Sequence, residues 1–243
     1  MTNNERYNAE RKAQSDLIKR DIERDKVLKE LYQASYNRMQ SQINGFYMRY
    51  ADKEGLSRAE AMKRASEFDV TEYRDRARKA VVEKDFSHGT NQWLRLFNLK
   101  MKVSRLELLK AELRLEIASL ISDVNEVFDE ARESEYLAEF RRQAGILGNS
   151  AVNAVSRMRA ILDADFYGQN FSRRVWGRNG LHANMQKDVF SSLARIFTDM
   201  DGFKQERQRL AKKYNTSQSN AQRLLKTEIA RINADTELMM LKE

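Results

Sequence analysis

Apolar residues recur at three- and four-residue steps along much of this chain. Leu28, Tyr32, Tyr36, Met39, Ile43, Tyr47 and Tyr50 follow that spacing, which gathers them on one face of a helix. Ahead of them, Leu17, Ile18 and Ile22 lie in and beside the charged stretch RDIERDK, which is too polar to bury much surface. Residues 4 to about 44 therefore read as a long N-terminal helix whose beginning needs a partner surface to become ordered. Gly45 and Gly55 are its candidate interruptions.

Ser57 followed by Glu60 forms a capping box, and the spacing predicts a short helix from Arg58 to about Phe68. Asp69 or Thr71, with Glu72 close behind, opens another through Val82, and Asp85 to Thr90 reads as a turn. The strongest periodicity follows: Leu106, Leu109, Leu113, Ile117, Leu120, Val124, Val127 and Ala131 alternate steps of three and four, close to heptad spacing. With Trp93 and Phe97 before it and Leu137 and Phe140 after it, this predicts a helix from about Asn91 to Ala144, roughly 80 Å long at about 1.5 Å per residue.

Gly145 and Gly148 close that helix, and Asn149 or Ser150 can cap the next, which carries Val152, Val155 and Ile161. Residues 163–171 (DADFYGQNF) read as a loop. Ser172 then caps a helix running from Val175 through Met200, Asp201-Gly202 marks a turn, and a further helix covers about 203–213. Thr216 or Ser217 caps the last one, which carries Leu224, Leu225, Ile229 and Ile232. The expected fold is all-α, an elongated bundle of long helices with a protruding N-terminal helical arm. Three segments are expected: an arm at 1–55, a scaffold helix segment at 56–145, and a helical core at 146–243.

Composition sharpens this picture. The 243 residues include no proline and no cysteine, whereas average usage puts proline near 5%, so helix breakers are scarce. Without cysteine there is no disulfide framework, no thiolate nucleophile and no cysteine-ligated metal. Charged residues make up 33% and hydrophobic ones 41%, a balance that favours a thin core. No apolar run approaches the roughly 18 residues of a membrane span, and the opening MTNNERYNAERK has no signal-peptide core; synthesis in the cytoplasm is expected. The formal charge of +8 is uneven: 16 basic against 10 acidic residues lie in 146–243, which favours contact with nucleic acid or an acidic surface.

Candidate chemistry is sparse. Asp199-Met200-Asp201-Gly202 imitates the middle of a calcium loop, but that alignment puts Phe197 first and Gln208 last, where carboxylates are required. Glu133-Ser134-Glu135 lies inside the long helix with no strand around it. His88 and His182 are isolated from any nucleophile or carboxylate partner in sequence, and Gly177 and Gly180 lack the lysine and hydroxyl of a phosphate loop. No enzymatic activity, metal or cofactor is expected.

Two segments stand out. In Phe171-Ser172-Arg173-Arg174-Val175-Trp176-Gly177-Arg178, arginines surround a tryptophan; Arg173, Arg174 and Arg178 are a candidate DNA contact, or else pair with carboxylates beside a buried Trp176. In Arg223-Leu224-Leu225-Lys226-Thr227-Glu228, Arg223 and Thr227 share one face while the leucines point inward. The structural alternative expects Trp176 against Leu224 and Leu225, with Arg174 held by Glu228.

In this order and spacing the two segments resemble the Mu F-like family of phage head morphogenesis proteins, also called minor head or minor capsid proteins. The family's Ser-x-Arg-x-Trp element is matched by Ser172, Arg174 and Trp176, and its Arg-Leu-x-x-Thr-Glu element by Arg223, Leu224, Thr227 and Glu228. Ser104-Arg105-Leu106-Glu107, and the N-terminal segment with Tyr7 and Gly55-Leu56-Ser57, are also similar. Many members continue into a Cys-, His- and Pro-rich segment or a toxin domain, which this sequence lacks. The resemblance implies a low-copy virion protein inside the phage head, associated with the portal vertex and assisting head assembly or genome packaging and delivery. Its implied partners are the portal protein, with major capsid or scaffolding protein and double-stranded DNA as further candidates. Alternatives are a DNA-binding helical protein acting on the packaged genome and an N-terminal delivery module of a longer toxin-bearing protein.

Overall fold

A chain without proline has little to stop a helix once it has nucleated, and the helices here run long. The computed structural model describes residues 2–50, 79, 88–148, 154–196 and 203–242. Helix α1 spans Asn3–Tyr50, α2 His88–Leu147, α3 Ala154–Leu162, α4 Phe171–Trp176, α5 Leu181–Ile196 and α6 Phe203–Leu241. Among the described residues there is no strand, only an isolated bridge between Phe166 and Gln169, so the all-α expectation is met. Helix α2, with 60 residues, is about 90 Å long.

Ion pairs set the helix directions. Glu10 with Arg142, Arg20 with Glu135 and Arg38 with Glu116 join α1 to α2 at numbers that rise on one helix as they fall on the other, so the two are antiparallel. Asp25 with Lys226, Tyr32 with Ser217 and Met39 with Tyr214 place α1 antiparallel to α6 as well. Helices α2 and α6 are therefore parallel. Asp188 with Lys213 and Arg195 with Glu206 fold α5 back along α6.

The apolar stripes meet as their periodicity requires. Leu28, Tyr32, Met39 and Ile43 of α1 are buried against Leu113, Ile117, Leu120, Val124 and Phe128 of α2, and Leu210, Tyr214, Leu225 and Ile229 of α6 join them. Three tyrosines lock α1 to α6. The ring of Tyr214 meets Tyr36 edge-on at 5.2 Å and Tyr32 at 6.5 Å, and its hydroxyl donates to Met39 Sδ at 3.1 Å. A second apolar cluster gathers Tyr136, Phe140 and Ala144 of α2 with Ala154, Leu162, Ile232 and Met240.

Several expectations need correction. The N-terminal arm does not protrude beyond its first turns: from Ala9 onward one face of α1 is covered, because α2 and α6 supply the partner surface the arm was expected to lack. Its charged opening is ordered by pairing, with Arg20 and Arg24 both held by Glu135. Gly45 lies within α1, and His88, Gly89 and Thr90, expected in a turn, already belong to α2. The helix expected from Ser172 through Met200 is broken after Trp176, and its cap is Asn170, whose Oδ1 accepts from the Arg173 N–H at 3.0 Å. The separate helices expected before and after Thr216 are one. Thr216 and Ser219 donate back to the Lys212 and Asn215 carbonyls four residues earlier, at 2.9 Å each, rather than capping a new start. Apart from Lys79, which is helical, the expected helices at 58–68 and 69–82 lie outside the described residues, as do the capping box, the Gly55-Leu56-Ser57 turn, the 149–150 cap and the calcium-like Asp199–Gly202 segment.

Candidate functional site

Where the apolar stripe of α2 would continue past Ala131, the buried positions are Arg132 and Glu135 before apolar packing resumes at Tyr136. On α6, Glu228 and Arg231 are buried beside the continuing run Leu225, Ile229 and Ile232. The charged residues of the two helices meet in a layer between the two apolar clusters. Glu228, 1% exposed, accepts from Arg231 Nη2 at 2.7 Å and Nε at 3.1 Å, and its Oε1 lies 3.4 Å from Arg132 Nε. Asp129 and Asp235, at the edge of the layer, take further hydrogen bonds from Arg132 and Arg231 at 3.1 and 2.7 Å.

The same two arginines close the C-terminal end of α3. Arg231 donates to the Ile161 carbonyl at 3.0 Å and Arg132 donates to the Leu162 carbonyl, acceptors that a helix end leaves without partners and that carry its partial negative charge. Charge balance thus supports burial here. A turn further along α2, Glu135 accepts from Arg20 at 2.6 and 2.9 Å and from Arg24 at 2.7 Å. Burial pushes its carboxyl upward, but these guanidiniums outweigh that and hold it below the ordinary glutamate value. The guanidinium of Arg231 is raised above its usual range: burial opposes the charge, while Glu228 and Asp235 favour it more strongly.

Helix α4 joins this layer through its first residue. Phe171 packs edge-on to Phe128 at 5.4 Å, and the Arg132 guanidinium lies over its ring at 4.4 Å. Phe171 and Val175, four apart, face the core, which turns Trp176 outward. The expected burial of Trp176 against Leu224 and Leu225 is therefore corrected: it is 40% exposed, with its ring 5.5 Å from that of His182. The expected Arg174–Glu228 pair does not form either. Arg174 donates to the Phe166 carbonyl and lies over the Phe166 ring at 4.8 Å, fastening the 163–170 loop to α4, while Glu228 is taken by the nearer Arg231 and Arg132.

The turn after Trp176 requires glycine at two positions. A Cβ on Gly177 would lie 2.3 Å from the Arg173 carbonyl oxygen, and one on Gly180 would lie 2.7 Å from that of Val175. The Gly177 N–H bonds back to Arg173 at 2.9 Å and the Gly180 N–H to Gly177 at 2.8 Å, so the chain turns tightly between α4 and α5. At the tip of the preceding loop, Tyr167 and Gly168 both have positive φ, 53° and 76°.

Of the other sequence-selected residues, Ser172, Arg173 and Arg178 are exposed around Trp176. Arg223 is exposed and donates to Asn220 at 2.9 Å, Leu224 packs on the core, and Thr227 faces outward. Arg105, Leu106 and Glu107 fall on α2, but their side chains lie outside the described residues. Arg20, Arg24, Arg132 and Arg231 belong to none of the sequence motifs, and Glu135 enters only in the Glu133-Ser134-Glu135 triplet. The available signal for Glu135 was its place on the apolar stripe of α2, four residues after Ala131.

Among the described residues no group of three or more His, Asp or Glu side chains could hold a metal, and no helix is long and apolar enough to cross a membrane. In comparison with known proteins, no family model, no curated protein and no solved structure matches this chain.

Proposed function

We propose that this chain is a non-enzymatic minor head protein of a bacteriophage, held inside the capsid at the portal vertex, where it assists head assembly or genome packaging and delivery. What supports the reading is that the helices carrying the two family-like elements meet at Arg132. Phe171, which precedes Ser172, lies beneath its guanidinium, and Glu228 lies beside it at 3.4 Å. Each helix thus places one side in the interior, Phe171 and Val175 on α4 and Leu225 and Glu228 on α6, and leaves the other outside: Arg173, Trp176 and Arg178 at the α4–α5 corner, Arg223 and Thr227 on α6. A bundle of long helices that presents Arg173, Trp176 and Arg178 together at one exposed corner suits a partner-binding component.

Co-purification tests it. The tagged chain should be recovered with portal protein from assembling heads, and a variant with Trp176→Ala and Arg178→Ala should lose that association while keeping its melting temperature. Recovery with neither portal nor capsid protein overturns the proposal. A second reading, in which the α4–α5 corner contacts DNA directly, is favoured by the exposure of Trp176 between two exposed arginines, Arg173 and Arg178. In that case the same variant keeps the portal and loses DNA.

A further inference from the structure

Helix α6 carries a surface that none of the motifs above explains. From Arg207 to Thr227 it contains six basic residues and no acidic one, bounded by Glu206 and Glu228. Both bounding carboxylates are buried and engaged by arginines. Arg209, Lys212, Thr216, Ser219 and Arg223 succeed one another at three- and four-residue steps and are all exposed, so they line one outer face. Lys213 and Lys226 flank that line. The stretch is about 30 Å long at about 1.5 Å per residue.

Three features of this face select its partner. None of the large exposed hydrophobic side chains among the described residues lies between Phe203 and Glu237, so there is no apolar patch on which a protein core could dock. No exposed aromatic is present for stacking unpaired bases. What remains is positive charge with the amides of Gln208 and Asn215 among it, the donor types that contact phosphate oxygens without reading bases. Arg209, Lys213 and Lys226 do pair with Glu206, Asp188 and Asp25. Their side chains remain about half exposed, 59%, 50% and 47%; the Lys213 and Lys226 pairs, with partly exposed carboxylates on the other side, are weak enough to exchange for phosphate, while Arg209 holds the buried Glu206 together with Arg195. Lys212 makes no ion pair among the described residues.

We infer that the outer face of α6 between Arg207 and Thr227 docks along the phosphate backbone of duplex DNA without sequence preference. The face takes in Arg223 and Thr227 of the second family-like element, but the inference rests on the charge pattern of α6 and stands independently of the virion reading.

The test is fluorescence anisotropy with a 30-base-pair DNA duplex over a salt series, comparing the native chain with the variant Arg209→Gln, Lys212→Gln, Lys213→Gln. These positions fall outside both family-like elements, so portal association should survive in the variant whether or not DNA binding does. The native chain should bind with a steep inverse salt dependence, and the variant's slope should be shallower by about 0.9 for each phosphate that it no longer neutralises. Lysine acetylation of the native chain read by mass spectrometry needs no variant: the duplex should protect Lys212, Lys213 and Lys226. No binding at low salt, an unchanged slope in the variant or unprotected lysines overturns the inference. So does tighter binding to single-stranded DNA, to an RNA duplex or to polyglutamate than to the DNA duplex.

Discussion

Arg132 of α2 and Glu228 of α6 face each other with 3.4 Å between Nε and Oε1, in the gap between two apolar clusters. A guanidinium and a carboxylate out of water are stable only as a set, because each loses hydration that its neighbour must replace. The set here includes Arg231 and the end of α3, so removing one member leaves the others without compensation. Glu228→Ala should destabilise the protein by about 3–5 kcal/mol in chemical denaturation. Replacing Arg132, Glu228 and Arg231 together by apolar residues of similar volume should cost far less. A loss below about 1 kcal/mol for Glu228→Ala would place the pair in the class of solvated ion pairs.

Acid sensitivity should trace to Glu135. Its carboxyl titrates below the ordinary glutamate value of 4.5 because Arg20 and Arg24 hold the charged form against the effect of burial. A depressed folded-state pKa contributes stability that is present above the unfolded value and lost as pH falls through the folded one. The difference in melting temperature between the native chain and Glu135→Gln should be largest above pH 4.5 and shrink below it.

At the alkaline end the phenols of α1 and α6 control the outcome. Burial pushes Tyr32 up to about 12 and raises Tyr214 as well. A raised pKa contributes stability that is complete below the unfolded value of 10 and lost as pH rises towards the folded one. Absorbance of tyrosinate should show Tyr32 ionising together with loss of helicity as the pH approaches about 12.

Gly177→Ala and Gly180→Ala should each destabilise by roughly 1–3 kcal/mol, since the new Cβ meets backbone carbonyl oxygens at 2.3 and 2.7 Å. Gly145→Ala, with open space around the Cβ position, should be neutral or stabilising. Thermal melts of the three variants make the comparison.

Tyr167 sits at φ 53° with its side chain 92% exposed, a backbone region that asparagine tolerates better than an aromatic residue. Tyr167→Asn should raise stability by up to about 1 kcal/mol in denaturant titration, unless its edge contact with Phe166 outweighs the relief.

Particular residues show how far the pattern along the chain carried. Leu109, Leu113, Ile117, Leu120 and Val124 are buried as their spacing required, because a helix converts a linear period into a face without reference to the rest of the fold. Gly148, expected to end the long helix, follows its last residue with φ 72°. Gly145, expected to end it too, lies in the last turn of α2, since a glycine weakens a helix only locally. Thr216 misled for a related reason. A hydroxyl residue can cap a helix or bond back within one, and what decides is whether Tyr214 and Ala221 on either side are buried.

The amino-acid sequence by itself determined the helical class, the long central helix and the residues of the main apolar stripes, because these follow from short-range periodicity and the absence of proline. Helix spacing by itself brings Glu228 to Arg231, three residues on, but partner choice between elements was decided by tertiary structure. Arg174 is eight residues from Phe166 and binds it, and Arg20 is 115 residues from Glu135 and binds it too. Charges along a sequence state only their sign. Which of them meet depends on the register at which α1, α2 and α6 pack, and that register is set by buried apolar side chains many residues away.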